Sequence, residues 1–575
     1  MGHCPTDYFI LSGDIIYMKY TAIFKVEGGG DVKCHAEPGE NILEIAQKAG
    51  VKIDVPCGGN GTCGKCKMRI MSGSLSYDKG SGQLSDDEFE DNWRLACQAT
   101  MEADVMLWIP AAASDYISGI VTSGLRTPEE LKKYNEMLDE LFTHDLKKGV
   151  QEKGYGIAVD IGTTTNAVTL LDLQTGTILS RGTVGNGQIR YGADVINRII
   201  QQGRPGGRDR LQKAVLEETL IPLFEKEIKA AGIDPMEITR IVIAGNTTME
   251  HLLVKANGDS IRLMPFQPEF LEHEPMKASE LRLPVNPDAK VILAPNVGSY
   301  VGGDITAGVL SALLWDKEEM SLFIDLGTNG ELVFGNKDYM LTCACSAGPA
   351  FEGGDISCGM RASRGAIDSC VIHRQTLMPL VTTINKGRPA GMCGSGLIDV
   401  IAELYKVGAI DAKGKFIRED KRIRDDGYGD KEYVLFYADE SATGRDIFIS
   451  ESDIDNFIRA KGAIFSAART MLKSVDMHVT DIDRIVIAGG IGSGINMENA
   501  MLIGMLPKAD LSKYSYIGNS SLTGACAMLI SDDATEKVYD IAHNMTYIEL
   551  STEPGYMDEF SAACFIPHTD STLFE

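Results

Sequence analysis

Four cysteines lie close enough in the chain to share one inorganic centre: Cys57, Cys63 and Cys66 in PCGGNGTCGKCKMRI, and Cys97 in WRLACQ after thirty intervening residues. Thiolates are the usual ligands of iron–sulfur clusters, and four of them hold one [2Fe–2S] unit. Gly58, Gly59, Gly61 and Gly64 separate the first three cysteines. Residues without a Cβ let a loop wrap a cluster and aim its amides at the sulfurs. A structural zinc site prefers two tight C-x2–4-C pairs, and only Cys63–Cys66 makes one. A disulfide framework suits small secreted domains, not a chain of 575 residues. The spacing therefore predicts a one-electron carrier, and a carrier needs a recipient.

A second set of residues occurs twice. GYGIAVDIGTTTNAVTLLDLQTGTIL (154–179) holds the turn Asp160-Ile161-Gly162-Thr163-Thr164-Thr165. SLFIDLGTNGELVFG (321–335) holds Asp325-Leu326-Gly327-Thr328-Asn329-Gly330. TRIVIAGNTTMEH (239–251) is echoed by DRIVIAGGIGSGIN (483–496). Asp160 precedes Arg240 by 80 residues and Asp325 precedes Arg484 by 159, so the second copy carries an insertion of about eighty residues.

The chemistry of such a pair is nucleotide binding. A strand ending in Asp and then Gly-Thr points a carboxylate, hydroxyls and amides into one cleft. Gly162 and Gly327 let the backbone approach an anion, and successive amides form a concavity for it. The hydroxyls of Thr163, Thr164, Thr165 and Thr328 can donate to phosphate oxygens, with Asn329 and Gly330 completing the second turn. Asp160 and Asp325 suit Mg²⁺, which takes a few carboxylates and keeps its waters. Gly489, Gly490 and Gly492 open a turn where a nucleoside can lie against bare backbone. No G-x4-G-K-[ST] loop occurs. Glu331 and Asp304 both remain open as the base for hydrolysis.

Elements must hold these residues. YTAIFKV (20–26) and VKCHA (32–36) alternate like strands. ENILEIAQKAG (40–50) puts Ile42, Leu43, Ile45 and Ala46 at helical spacing, and VMLWIP (105–110) reads as a closing strand. A small, polar stretch after 110 leads to a helix with Thr127 as N-cap, Pro128 first, Glu130 closing a capping box, and a stripe of Leu131, Tyr134, Leu138 and Leu141. The expected domains are 18–110 around the cysteines, a helical linker 111–150, a first ATPase subdomain 151–235 and a large ATPase domain 236–575.

Net charge is −26, from 55 basic and 81 acidic residues. That balance argues against nucleic acid and against an anionic membrane surface as partners. No run of eighteen apolar residues is present. Residues 1–17 precede the first pattern and read as a tail or a misassigned start. Thirteen cysteines, an odd number in a large chain, fit a reducing cytoplasm.

The cysteine region resembles the plant- and adrenodoxin-type ferredoxins, and the x5 gap is the adrenodoxin variant. The duplicated turns resemble the superfamily of acetate and sugar kinases, Hsp70 and actin, where two turns grip ATP phosphates and a glycine-rich turn holds adenosine. The two together resemble the reductive activators of corrinoid proteins. Further matching blocks are YGADVINRI (191–199), APNVGSYVGGDITAG (294–308), SAGPAFEGGDISCGMRASRGAI (346–367), GMCGSGLIDVIAELY (391–405) and PGYMDEFSAACFIPHTD (554–570). The resemblance implies an α/β multidomain fold: an N-terminal β-grasp [2Fe–2S] ferredoxin domain and a duplicated RNase H-like ATPase. It implies an ATP-hydrolysing corrinoid reductase that uses a [2Fe–2S] cluster, ATP and Mg²⁺ to return Co(II) to Co(I) for methyl transfer. Its partners would be a corrinoid protein and an external low-potential electron donor, and members often pair as homodimers through the ATPase. Plant-type clusters sit near about −400 mV, and the Co(II)/Co(I) couple lies lower, so ATP has to drive the transfer. The alternatives are an ATP-driven donor to another low-potential enzyme, like the dehydratase activators, or a redox-sensing actin-like assembly protein. The corrinoid itself belongs to a partner: the nearest base-off motif, Asp476-Met477-His478-Val479-Thr480-Asp481, lacks its glycine.

Overall fold

A computed structural model describes the chain except residues 1–18, 28–29, 52, 54, 56–58, 60, 62–63, 78–82, 85, 111–127, 428, 491–493 and 575. Residues 1–119 with 189–193 form one compact unit, and 120–188 with 194–575 a second.

The first unit is a five-stranded sheet with one main helix. Its strands are β1 (Tyr20–Val26), β2 (Asp31–Ala36), β3 (Lys67–Ser72), β4 (Trp93–Leu95) and β5 (Val105–Ile109), in the order β2-β1-β5-β3-β4. β1 runs antiparallel to β2 and parallel to β5. Val105, Leu107 and Ile109 alternate inward along β5, the period-2 pattern of a half-buried strand. They meet Ile42, Leu43, Ile45 and Ala46 of helix α1 (Ile42–Lys48) in one core. Asn41 caps that helix, its side chain accepting from the Leu43 amide. This is the β-grasp arrangement.

The second unit contains two sheets of matching topology. The first sheet takes β6 (Tyr155–Ile161), β7 (Thr165–Asp172), β8 (Ile178–Gly185), β9 (Ile238–Gly245), β10 (Met276–Lys277) and β11 (Lys290–Leu293), in the order β8-β7-β6-β9-β11-β10. The second takes β12 (Ser321–Leu326), β13 (Gly330–Gly335), β14 (Met340–Cys345), β15 (Arg484–Ala488), β16 (Tyr514–Tyr516) and β17 (Met545–Tyr547), in the order β16-β15-β12-β13-β14-β17. In each sheet three strands form an antiparallel meander and the R-I-V-I-A strand then joins its first strand in parallel. Ala244 pairs with Asp160, and Ala488 pairs with Asp325. The sequence repeat is thus a structural repeat in register. Between β8 and β9 the chain leaves the sheet for helices within residues 195–231 and returns to the same sheet at Ile238.

The central strands are buried on both faces and read as continuous apolar runs. Helix α2 (Pro128–Leu141) follows the first unit in sequence, and its Leu138 and Leu141 are buried in the second unit's core. Thr127 lies outside the described residues. Two further helices join the sheets, α3 (Gly303–Ala312) and α4 (Ser520–Ile530). They approach so closely that a Cβ on Gly524 would overlap the Ala307 carbonyl. Among the described residues no helix is long and apolar enough to cross a membrane.

Candidate functional site

In the first unit the sheet brings distant cysteines together. Lys67 pairs with Leu95 in the β3–β4 ladder, and the Ala96 amide donates to the Cys66 carbonyl at 2.9 Å. Cys66 precedes β3 and Cys97 follows β4, so their sulfurs stand 3.4 Å apart. Both are thiols rather than disulfide partners. Two thiolates on one tetrahedral metal with bonds of about 2.3 Å would sit about 3.8 Å apart, so the pair fits shared ligation of one iron. The Asn41 side-chain amide donates to the Cys97 carbonyl at 2.9 Å and fixes that side of the loop. Gly59, Gly61 and Gly64 all have positive φ (91°, 77° and 65°), a conformation that only glycine adopts freely. A Cβ on Gly61 would also overlap the Gln98 side chain. Cys57 and Cys63 lie outside the described residues.

In the second unit the two D-x-G-T turns face each other. Thr164 Oγ1 lies 3.1 Å from Thr328 Oγ1. Each turn closes on itself, Gly162 N donating to Thr165 O at 3.1 Å and Gly327 N to Asn329 O at 3.0 Å. Their carboxylates are held from the start of α4: Asn519 Nδ2 donates to Asp160 Oδ2 at 2.7 Å and Ser521 Oγ to Asp160 Oδ1 at 2.8 Å. Ser520 Oγ reaches Asp325 Oδ2 only at 3.5 Å. Asn519 is the N-cap of α4, so one residue both starts the helix and orients the aspartate.

The first turn has further supports. Asn186 Nδ2 donates to Gly162 O at 2.9 Å, Asn246 Nδ2 to Thr163 Oγ1 at 3.0 Å, and the buried Arg198 guanidinium to Thr163 O. The second turn is tied by Thr328 Oγ1 donating to Glu352 Oε1 at 2.7 Å. Gly330 starts β13 where a Cβ would meet Cys345 Sγ at 2.8 Å, so its small size answers packing beneath the turn. At Gly489, φ is +93° and a Cβ would lie 2.7 Å from Asp325 Oδ1. The glycine turn at 489 therefore lies directly against the second aspartate. Gly490 faces open space, and Gly492 lies outside the described residues.

Four carboxyl groups crowd this cleft. Burial and then Asp160 push Asp325 up to about 7. Burial, Asp325 and Asp160 push Asp304 up to about 8. Burial raises Asp160, against the hydrogen bonds from Asn519 and Ser521. Burial, Asp304 and Asp325 hold Glu331 well above the usual carboxylate range. Asp304 and Glu331 thus share one electrostatic site with the two turn aspartates. Such a cluster demands protons or a cation. Among the described residues no three His, Cys, Asp or Glu side chains converge tightly enough to hold a metal ion by themselves. Beneath the second turn, burial pushes the thiols of Cys343 and Cys345 up, which lowers their reactivity.

Sequence reading missed Asn519, Ser520, Ser521, Asn186, Asn246, Arg198 and Glu352. Asn519 and Asn246 each precede a helix, and that cap signal could have found them. Nothing in the spacing points to the others.

A β-grasp ferredoxin unit and a duplicated sheet with paired phosphate turns define an iron–sulfur protein joined to an ATPase-type cleft of the actin class. Known families match along the chain in the same order: the 2Fe-2S iron-sulfur cluster binding domain over residues 25–102, the RACo middle region over 155–317, and the C-terminal domain of RACo, the ASKHA domain, over 319–575. A solved structure of a reductive activator for corrinoid, iron-sulfur protein superposes with a TM-score of 0.68 at 38% identity, covering 96% of this chain and 99% of that one. The corrinoid activation enzyme RamQ of Eubacterium limosum is 29% identical over 571 residues, 90% of this chain and 95% of the relative. A [Co(II) methylated amine-specific corrinoid protein] reductase of Methanosarcina barkeri is 25% identical over 431 residues, 68% of this chain and 73% of the relative. The chain belongs to the family of reductive activators of corrinoid proteins.

Proposed function

We propose that this protein is an ATP-dependent reductive activator that delivers single electrons to the Co(II) of a partner corrinoid protein and returns it to Co(I). The observation that carries this reading is the juxtaposition of Thr164 and Thr328 across one cleft, in a chain whose other unit pairs Cys66 with Cys97. A bound [2Fe–2S] cluster supplies one-electron redox chemistry. Cys57, Cys63, Cys66 and Cys97 would ligate it, and Asn41 holds the Cys97 backbone.

In the cleft, Gly162, Thr163, Thr164 and Thr165 from one side and Gly327, Thr328 and Asn329 from the other would donate to the phosphates of ATP. Asp160 and Asp325 would orient a hydrated Mg²⁺, whose charge also relieves their repulsion. Asp304 or Glu331 would accept a proton from attacking water. Gly489 and Gly490 would pass the nucleoside against bare backbone. Binding that favours one arrangement of the two lobes biases the partner complex toward the reduced product. An external low-potential donor would recharge the cluster. Ten described cysteines without a disulfide support a reducing, cytoplasmic setting.

Two variants test the assignment together. Cys97→Ser should abolish Co(I) formation and the reduced-cluster EPR signal while leaving MgATP binding intact. Asp325→Asn should keep a reducible cluster and lose ATP hydrolysis and Co(I) formation. Retention of Co(I) formation in either variant contradicts the reading.

A further inference from the structure

The hydrogen count across the cleft has a direction. Glu352, as a carboxylate, can only accept, so the 2.7 Å bond uses the single hydroxyl proton of Thr328. Thr328 must then accept from its other neighbour, and the 3.1 Å contact is Thr164 donating to Thr328. The chain Thr164 → Thr328 → Glu352 therefore commits both hydroxyl protons. A phosphate in this cleft needs those same protons, and its negative charge opposes a carboxylate held on the same hydroxyl.

Glu352 ends the short helical turn Pro349–Glu352, and the loop that follows is tightly built. Gly353 has φ +79° and no room for a Cβ against the Met360 backbone. A Cβ on Gly359 would overlap the Gly353 carbonyl. Met360 N donates to Met392 O at 2.8 Å. The loop then brings the Arg361 guanidinium to the end of β8, 3.7 Å from where a Cβ on Gly185 would stand. Gly185 pairs with Thr165 of the first turn. One segment, 352–361, thus touches the second turn at Thr328 and reaches the strand that pairs with the first, and its first contact competes with phosphate for a hydrogen bond.

We propose that Glu352 is a positioning residue that senses the nucleotide: ATP accepts the Thr328 hydrogen bond, releases Glu352, and so loosens the start of the 352–361 segment, whose far part stays anchored by Ser357 on Asp453 and Met360 on Met392. This rests on the reading of the cleft as an ATP site and adds its regulation. Loss of Glu352 then removes a competitor, so truncating this side chain should tighten ATP binding by the protein. A merely structural support would do the opposite.

The test is equilibrium binding of a non-hydrolysable ATP analogue with Mg²⁺, paired with hydrogen–deuterium exchange over residues 346–364, on the full chain. Wild type should bind and show faster exchange in that segment with the analogue than without it. Glu352→Ala should bind on the order of tenfold tighter, the worth of one charge-assisted bond, and exchange fast with or without ligand. Glu352→Gln, which keeps the size and a weaker acceptor, should fall between. Thr328→Val should weaken binding, Thr328→Ser should restore it, and Thr328→Val with Glu352→Ala should match Thr328→Val alone, because Glu352 acts only through that hydroxyl. Weaker or unchanged binding in Glu352→Gln, or unaltered exchange in wild type, overturns the proposal. A wild-type protein that binds no nucleotide instead overturns the ATP reading itself.

Discussion

The two D-x-G-T turns share a strand order, a register and a sequence pattern, yet the protein supports them differently. The first has its backbone and hydroxyl held by Asn186, Asn246 and Arg198, and its aspartate by Asn519 and Ser521. The second has one long contact from Ser520, a contested hydroxyl on Glu352, and Asp304 and Glu331 crowding its aspartate. Two copies of one turn thus carry different supports: the first is a braced scaffold and the second is loaded with charge. A polyphosphate and its cation gain most by binding where unrelieved repulsion and a displaceable partner wait for them.

Substitutions at the two aspartates would break this contrast most sharply. Asp325→Asn should cut ATP hydrolysis on the order of 10²–10³-fold, the usual scale for a lost electrostatic partner of the transition state. It should also raise the melting temperature of the nucleotide-free protein, since it removes one of four repelling carboxyls. Asp160→Ala should lower stability by about 2 kcal/mol, because it strands the Asn519 amide and the Ser521 hydroxyl that it now satisfies. Calorimetry on both variants decides: equal shifts of the same sign would contradict the asymmetry.

A pH titration probes the same difference without mutation. Asp325 and Asp304 have folded-state values raised to about 7 and about 8, above the range of about 3.9 for an unfolded aspartate. The folded protein then holds protons that the unfolded chain has released. Their stabilising contribution is complete below the unfolded value and is lost as pH rises through 7 and 8. Melting temperature without nucleotide should fall from pH 6 to pH 9, and saturating MgATP should flatten that fall. A curve that rises over this window would mean the second turn is not charge-loaded.

The smallest effect expected is at the scaffold of the first turn. Asn246 caps the helix Thr247–Val254, accepting from Met249 N at 3.0 Å, and also donates to Thr163. Asn246→Ala should cost about 1 kcal/mol in denaturant unfolding, the usual worth of an N-cap. It should raise the KM for ATP more than it lowers kcat. A lowered kcat at unchanged KM would place Asn246 in the chemistry instead.

Much of this arrangement was legible in the sequence, for a physical reason. Strands buried on both faces are written as unbroken apolar runs, and a backbone that must approach an anion is written as glycine after aspartate. Both signals are local, and their repetition at Asp160 and Asp325 multiplied their weight. The supports were not legible, because they arrive from far along the chain. Asn519 meets Asp160 across 359 residues, and Glu352 meets Thr328 from a loop with no periodic pattern. The ferredoxin unit shows the same division. The ladder that brings Cys66 to Cys97 follows from alternating strands, whereas the Asn41 bond to the Cys97 backbone follows only from the fold.

The central claim is that nucleotide in the cleft drives an electron transfer that the cluster alone cannot complete. Its most direct test is anaerobic spectroscopy of a corrinoid protein mixed with the reduced, cluster-loaded protein at a fixed low-potential poise, followed before and after MgATP. The account predicts that Co(II) persists until MgATP is added and that the Co(I) spectrum then appears. Co(I) formed to the same extent without ATP would contradict it.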